Sequence, residues 1–439
     1  MKFKALLLFL FFVVSTFSQS EIYYFKDANS SLSYSNIAQE EFKPLNKQVL
    51  EKHSDATFWF KVPANKTDLN YIFRIKSIRA TNAKAYQNLS EIKKLNNQRY
   101  SSFKFSRGSP IYIKVSSNFS SYFPVELNIV EDATFEEKIQ LLIDGFYYGV
   151  AFLVILFSIN YFYFFKDNSF LYHAFLLASL TLSFILSDGI LHLFAVDEKN
   201  IEFLILLNYV ILTYCSSKFA NGFLLIDDYY PKVKNYTYVI GGAIILFVIL
   251  FLIFKKNDLY IILGILTSII LLIYWFLGVL LFKENTHTKL FTFSYVIILF
   301  SGIDFYVLKN FGISLFETNA TNLKIGGFIQ IIILSFAVIY REKDLRKYNS
   351  LMKNEIIKFS EEIEQLTIQE EPIKIKLDVL SFREREIFNL IVSSKSNKEI
   401  AAEVNISVNT VKFHVKNIYG KLNIKSRKEV LTLKKVIKH

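Results

Sequence analysis

Four residues near the C-terminus have the types and spacing to read a polyanion. Asn409, Lys412, Phe413 and Lys416 lie on one face of the stretch VNTVKFHVKNIYGKL. Val411, Val415, Ile418 and Leu422 recur at i, i+4, i+7 and i+11 on the opposite face. A helix with an apolar back and a front of amide, ammonium and aromatic groups suits the DNA major groove. There Lys donates to guanine O6 and N7, Asn pairs with adenine, and Phe touches a thymine methyl. On an isolated helix such lysines would read as a solvated face. The preceding stretch SNKEIAAEV and the tight turn at Asn405 and Ile406 decide for recognition, because together they complete a helix-turn-helix.

The elements that hold this face are marked by their caps. Ser381 precedes Glu384 by three residues, Ser396 precedes Glu399 and Ser426 precedes Glu429 in the same way. In this capping box the hydroxyl accepts from the N3 backbone N–H while the carboxylate reaches back, so three helix starts are predicted. Ser407, followed by Thr410, is predicted to cap the remaining helix, giving four short helices over 376–439.

The elements LSFREREI, SNKEIA, the turn, ISVNTVKFHVKNI and the closing KL resemble the LuxR-type DNA-binding domain found at the end of many bacterial response regulators. The resemblance covers about 60 residues. It implies an all-α four-helix domain that binds double-stranded DNA, with Thr410 and Lys398 at phosphate-contacting positions and Lys412, Phe413 and Lys416 at base-facing ones. Gly420 departs from the usual residue and is expected to weaken the end of the recognition helix.

Composition agrees with a polyanion partner for this segment. The chain of 439 residues carries a formal charge of +12, and residues 376–439 hold 14 Lys/Arg against 6 Asp/Glu, so +8 of the excess is local. Cys215 is the single cysteine, which excludes an intrachain disulfide and a cysteine-based metal site. The six histidines show no ligand spacing, and neither a Gly-rich phosphate loop nor a GxSxG elbow is present. The chain is therefore expected to be no enzyme and to hold no cofactor or metal.

A hydrophobic content of 52% with 17% aromatics points to membrane upstream. Seven apolar segments are predicted within 141–340, at 141–165, 170–194, 201–225, 236–254, 259–282, 289–311 and 322–340, each near the ~20 residues that cross a ~30 Å hydrocarbon core. They would make a seven-helix α transmembrane bundle in contact with membrane lipid. Asn160, Asp188, His192, Asn208 and Asp304 fall inside these segments, where ionisable groups invite a functional reading and helix–helix glue is the competing one. Asp188 and His192, four apart, are expected on one helix face. The lysines of the loops do not decide orientation; Arg341, Lys343, Arg346 and Lys347 after the last span place the C-terminus in the cytoplasm.

Between the membrane and the helix-turn-helix, residues 341–369 carry Leu345, Met352, Phe359 and Leu366 at one heptad position and Asn349, Ile356 and Ile363 at another. Spacing that alternates four and three, with two Ile and one Asn at the a positions, predicts a parallel two-stranded coiled coil and hence a homodimer; a single amphipathic linker helix is the alternative. In front of the membrane, 19–135 holds stretches such as TFWFKV, YIFRIKSI, IYIKVSS and VELNIV, separated by Asn, Ser and Gly, which predict an extracytoplasmic antiparallel β-sandwich. Trp59 suits either a ligand surface or the core. Residues 1–18 have signal-peptide order, with Lys2 and Lys4, an apolar run and small residues before Gln19.

The front of the chain is similar to the bacterial seven-transmembrane receptors with diverse intracellular signalling modules, through TFWFKV, the Asp188–Gly189 step, FLLIDDYYP and the exit LSFAVIYREKDLRK. That resemblance implies an extracytoplasmic ligand of carbohydrate-like type. The whole is expected to be a multi-domain, membrane-embedded one-component transcription regulator. The competing readings are a transporter or channel-like protein with a protein-docking tail, and a membrane-tethered precursor freed by proteolysis. Inverted repeats and proline-broken spans would favour transport; no repeat is evident, and Pro231, in a loop, is the only proline of the seven-helix region.

Overall fold

A computed structural model describes residues 21–369 and 377–431, apart from 46, 47, 53, 55, 66, 79, 81 and 117–120 and the side chains of 366–369. The expected signal peptide lies outside the described residues. The chain divides into two compact units, residues 1–345 and 346–439.

Among its described residues the first unit opens with ten strands in two antiparallel sheets. One orders β2-β1-β4-β9-β6-β7 and the other β3-β10-β5-β8, where β1 is Tyr23–Asp27, β2 Lys43–Pro44, β3 Gln48–Glu51, β4 Thr57–Val62, β5 Asn70–Ile75, β6 Lys84–Gln87, β7 Ser90–Ile92, β8 Ser101–Ser106, β9 Ile111–Ser116 and β10 Ser121–Ile129. Strand β4 is buried on both faces, which explains its unbroken TFWF run. Phe58 and Phe60 point between the sheets onto Phe73, Phe103 and Phe123. Trp59 points the other way, fully buried with Ile37 and Tyr112 under the helical turn Tyr34–Ile37. It is core, and its ring is not available as a ligand surface.

Among the described residues, seven helices long and apolar enough to cross a membrane follow. They are α1 (Val130–Phe165), α2 (Asn168–Ser187), α3 (Glu198–Leu224), α4 (Val233–Phe254), α5 (Asn257–Leu280), α6 (Thr286–Tyr306) and α7 (Ala320–Gln369). Several carry outward apolar side chains: of the most apolar stretch of α4 only 11% is buried in the protein, as expected of a helix whose solvent is lipid.

Two span boundaries differ from the sequence reading by more than five residues. Strand β10 passes directly into α1, so the helix begins at Val130, eleven residues before the apolar run at 141. Its first turns, with Glu131, Asp132, Glu136 and Glu137, are helical but polar, and counting apolar residues cannot see them. The second span ends at Ser187, short of 194. Gly189 adopts φ +67 and stops the helix, and Ile190–Leu193 is a separate turn. Asp188 and His192 therefore do not share a helix face.

Candidate nucleic-acid interface and the buried ionic cluster

The second unit builds its recognition face on three helices: α8 (Phe382–Val392), α9 (Asn397–Glu403) and α10 (Val408–Leu422). Complete capping boxes start α8 and α9, with Glu384 N–H donating to Ser381 Oγ at 3.3 Å and Glu399 N–H to Ser396 Oγ at 3.4 Å while each carboxylate accepts from its own N-cap. Ser407 caps α10, accepting from Thr410 N–H at 3.1 Å. A further helix opens at residue 427, with Glu429 N–H donating to Ser426 Oγ at 3.3 Å. Asn405, at φ +54, makes the turn between α9 and α10.

Ile387, Phe388, Ile391, Ile400, Val411 and Ile418 form the centre of the core. Val415 and Leu422 pack at its edge, so the apolar back of α10 faces inward as its spacing requires. The opposite face is open: Asn409, Thr410, Lys412, Phe413 and Lys416 are all exposed, Phe413 by 62%. Lys398 is exposed on α9. The Thr410 hydroxyl lies 2.7 Å from Ser407 Oγ, so the cap also orients it. Helix α10 continues through Gly420 to Leu422 and ends on Asn423 at φ +52. Gly420 thus does not cut the helix short.

Lys421 at the end of α10 is not part of the open face. Its ammonium bonds Glu384 of α8 at 2.6 Å and, with the Ser381 backbone N–H, pushes the Glu384 carboxyl down to about 2. Arg383 donates to the Val404 carbonyl at 2.5 Å and Arg427 to Asn397 Oδ1 at 3.1 Å, so charged side chains also hold the helices together.

The matches to known proteins fall on these residues. Residues 378–433 match the family described as bacterial regulatory proteins, luxR family, and residues 140–341 match the family described as 7TM diverse intracellular signalling. The spore germination protein GerE of Bacillus subtilis is 45% identical over 53 residues, 12% of this chain and 72% of GerE. The chain belongs to the LuxR family of bacterial regulatory proteins. The HTH-type transcriptional regulator MalT of Vibrio cholerae is 33% identical over 89 residues, 20% of this chain but 10% of MalT. MalT of Vibrio campbellii is 40% identical over 60 residues, 14% of this chain and 7% of that protein. The chain thus spans a tenth or less of the length of these MalT relatives, and the shared part is the LuxR-family helix-turn-helix joined here to a seven-helix signalling region.

That region is tied to the sandwich by a buried ionic cluster. Arg99, between β7 and β8, donates to Glu137 at 2.5 Å and Asp144 at 2.9 Å, both on α1. Lys324, in the first turns of α7, bonds the same Asp144 and also Asp188 at 2.8 Å, and Tyr148 donates to Asp188. The Arg99 carbonyl accepts from His192 Nδ1 at 3.0 Å and sits against Gly189, where a β-carbon would come within 2.3 Å of it. Gly312, the other positive-φ glycine, presses on the Lys52 backbone in the same way, with a β-carbon 2.7 Å from its nitrogen.

Of the intramembrane polar residues singled out by sequence, Asp188 and His192 join this cluster through separate elements. Asn208 bridges Ser179 and Ser183, each at 2.7 Å. Asp304 caps the loop after α6, accepting from Leu315 N–H at 2.6 Å, and among the described residues Asn160 bonds only its own helix, at the Leu156 carbonyl. Sequence reasoning missed Arg99, Asp144 and Lys324. The isolated Asp144 in LLIDGFYYGV was the available signal.

Proposed function

We propose that the chain is a membrane-bound one-component transcription regulator, in which a signal received by the sandwich or the helices reaches a DNA-binding domain in the same polypeptide. The observation that carries this reading is the open face of α10, with Asn409, Lys412, Phe413 and Lys416 exposed on a capped LuxR-family core. Lys412, Phe413 and Lys416 are assigned to base edges, and Thr410 and Lys398 to phosphates.

The linker supports a homodimer. Ile356, Phe359 and Ile363 are exposed by 64%, 63% and 65% in a single copy, and Leu345, Asn349 and Met352 continue their stripe; the Leu366 side chain lies outside the described residues. A solvated helix with that much apolar surface calls for a partner, and a second copy supplies the same heptads. The basic run Arg341, Lys343, Arg346 and Lys347 supports a cytoplasmic C-terminus, with the sandwich outside. Mapping genomic DNA crosslinked to the intact membrane protein tests the function: recovery of discrete sites that disappear in a Lys412→Ala/Lys416→Ala variant is expected, and uniform recovery of the genome in both would overturn it. Reporters fused after Asp132 and after Gln369 should report opposite sides of the membrane; a same-side result removes the proposed orientation.

A further inference from the structure

Two cavities meet where the sandwich covers the outer ends of the helices. The first is a chamber of about 670 Å³ between β-strands and helix ends, walled by charged groups including Arg74, Arg99, Glu137 and Asp188. The second, about 140 Å³, lies inside the bundle among α2, α3, α5 and α6, with walls that are mostly apolar and aromatic, Trp275 among them. Ile78 of the sandwich, Ser187 and Tyr306 line both. The Ser187 and Tyr306 hydroxyls lie 2.7 Å apart at that common wall. A charged chamber that adjoins an apolar cavity through three shared residues has the shape of a site for a molecule with a polar head and an apolar end. The inner volume is on the order of a single benzene ring, so the apolar end is an aromatic ring or a short alkyl chain rather than a membrane phospholipid.

The charges of the chamber select the head. Arg74 lies 3.4 Å from Glu126 and 3.2 Å from Glu137, Arg99 pairs with Glu137, and Lys76 pairs with Glu126 at 2.7 Å. Asp188 is held by Lys324. Glu136, an exposed residue, also lines the chamber, and among the described residues it forms no ion pair with Lys or Arg; the Asn128 amide donates to it at 3.1 Å. An incoming anion would have to displace a carboxylate from Arg74, Lys76 or Arg99, whereas a cation finds in Glu136 a carboxylate that no Lys or Arg contacts among the described residues, Lys76 acting on it only at longer range.

We propose that the chamber and the cavity form one ligand site for a small amine-headed amphiphile, with its ammonium at Glu136 and its apolar end past Ser187 and Tyr306 among the helices. The assignment rests on the receptor reading given above, for which it names the class of signal. It also connects that signal to the output, since the chamber is walled by Asp188, which pairs with Lys324 of α7, and by Arg99, which shares Asp144 with Lys324.

Trp275 allows a direct test on the full chain in lipid nanodiscs. One other tryptophan exists, Trp59, and it is sealed in the sandwich. The probe is 8-bromooctylamine, whose bromine quenches a tryptophan in contact with the chain end. Saturable quenching is expected, absent in Trp275→Phe, with octylamine competing about tenfold better than octanol or octanoate, the magnitude of one charge-assisted hydrogen bond. Glu136→Gln should remove the amine preference. Gly264→Leu should remove saturable quenching, because Gly264 lines the inner cavity and a β-carbon there has only ordinary contacts, the nearest at 3.6 Å. Gly302→Leu, also on the cavity wall with no atom within 4 Å of its β-carbon, serves if the first variant fails to fold. Quenching that never saturates and is the same in the filled variants would overturn the cavity assignment, and equal competition by amine, alcohol and acid would overturn the head assignment. The readout is independent of DNA: intact DNA binding without saturable quenching removes this proposal alone, and saturable quenching without DNA binding removes the regulator reading.

Discussion

Lys324 Nζ on α7 lies 2.8 Å from Asp188 Oδ2 at the end of α2, and both side chains are buried. With Asp144, which shares the ammonium and accepts from Arg99, they form a chain of alternating charge from the sandwich to the helix that leads toward the DNA-binding domain. Such a chain is costly to break, because removing one member leaves the others buried and unbalanced. Lys324→Met should destabilise the first unit by about 3–5 kcal/mol. Pairing it with Asp188→Asn should recover part of that loss by removing one orphaned carboxylate. Thermal unfolding in detergent reads both; a single variant that melts with the wild type would show that the three groups do not act together.

Gly189→Ala should detach the sandwich at Arg99. Position 189 needs φ +67, and the added carbon would overlap the Arg99 carbonyl. Arg99 is buried and hence poor as a trypsin site, so the expected result is new cleavage after Arg99 in the variant. Gly241→Ala, with no atom near its β-carbon, is the control and should cleave like the wild type. Protection of Arg99 in Gly189→Ala would mean that the contact yields without undocking.

The DNA-binding unit should lose stability in acid through Glu384. Its carboxyl is held at about 2, below the usual 4.5, by Lys421 and the Ser381 cap. The folded form binds its proton less readily than the unfolded form, so the contribution is full above about 4.5 and is lost as pH falls through about 2. Urea midpoints of a 376–439 fragment should therefore fall over that window, and Glu384→Gln should flatten the fall. An unchanged slope in the variant would place the acid sensitivity elsewhere.

Lys412→Ala and Lys416→Ala should each weaken binding to a selected site by ~1–3 kcal/mol and relax its sequence preference, because the proposed function turns both toward base edges. Lys398→Ala should weaken all sequences about equally and lower the salt slope by about one. Titrations at two salt concentrations separate these outcomes, and unchanged binding in the first two variants would remove the assignment of that face.

How much of this was legible in sequence depended on the range of the interaction. The caps at Ser381, Ser396 and Ser407 and the apolar back of α10 are local, three or four residues apart, and the structure places them as their spacing requires. Trp59 was ambiguous because a strand buried on both faces loses the period of two that would assign it a side. The buried ionic cluster was illegible because Arg99, Asp144 and Lys324 are separated by 45 and 180 residues. Each looked alone like a loop charge or a helix-end charge, and docking of the sandwich makes them one site. The break at Gly189 escaped for the same reason, since its positive φ answers to a carbonyl ninety residues away.

The linker provides the last prediction. A single helix-turn-helix of this size buries a small interface with DNA, and two held one turn apart, at ~10 bp, gain both affinity and specificity. Ile356 and Ile363 lie on the exposed stripe of α7, so replacing both with Lys should separate two copies without touching the bundle or the α10 face. Regulation of a target promoter should then fail. Asn349→Ile is the subtler variant, since losing a buried amide should raise the stability of the pairing while loosening its preference for two strands. The chain has one cysteine, so an Ile356→Cys variant in a Cys215→Ser background reports pairing without interference. It should crosslink to a dimer in membranes, and Leu351→Cys, placed off the seam, should crosslink less. If Ile356→Cys stays monomeric and the double Lys variant regulates normally, the segment is a spacer and the signal reaches DNA without pairing of this helix.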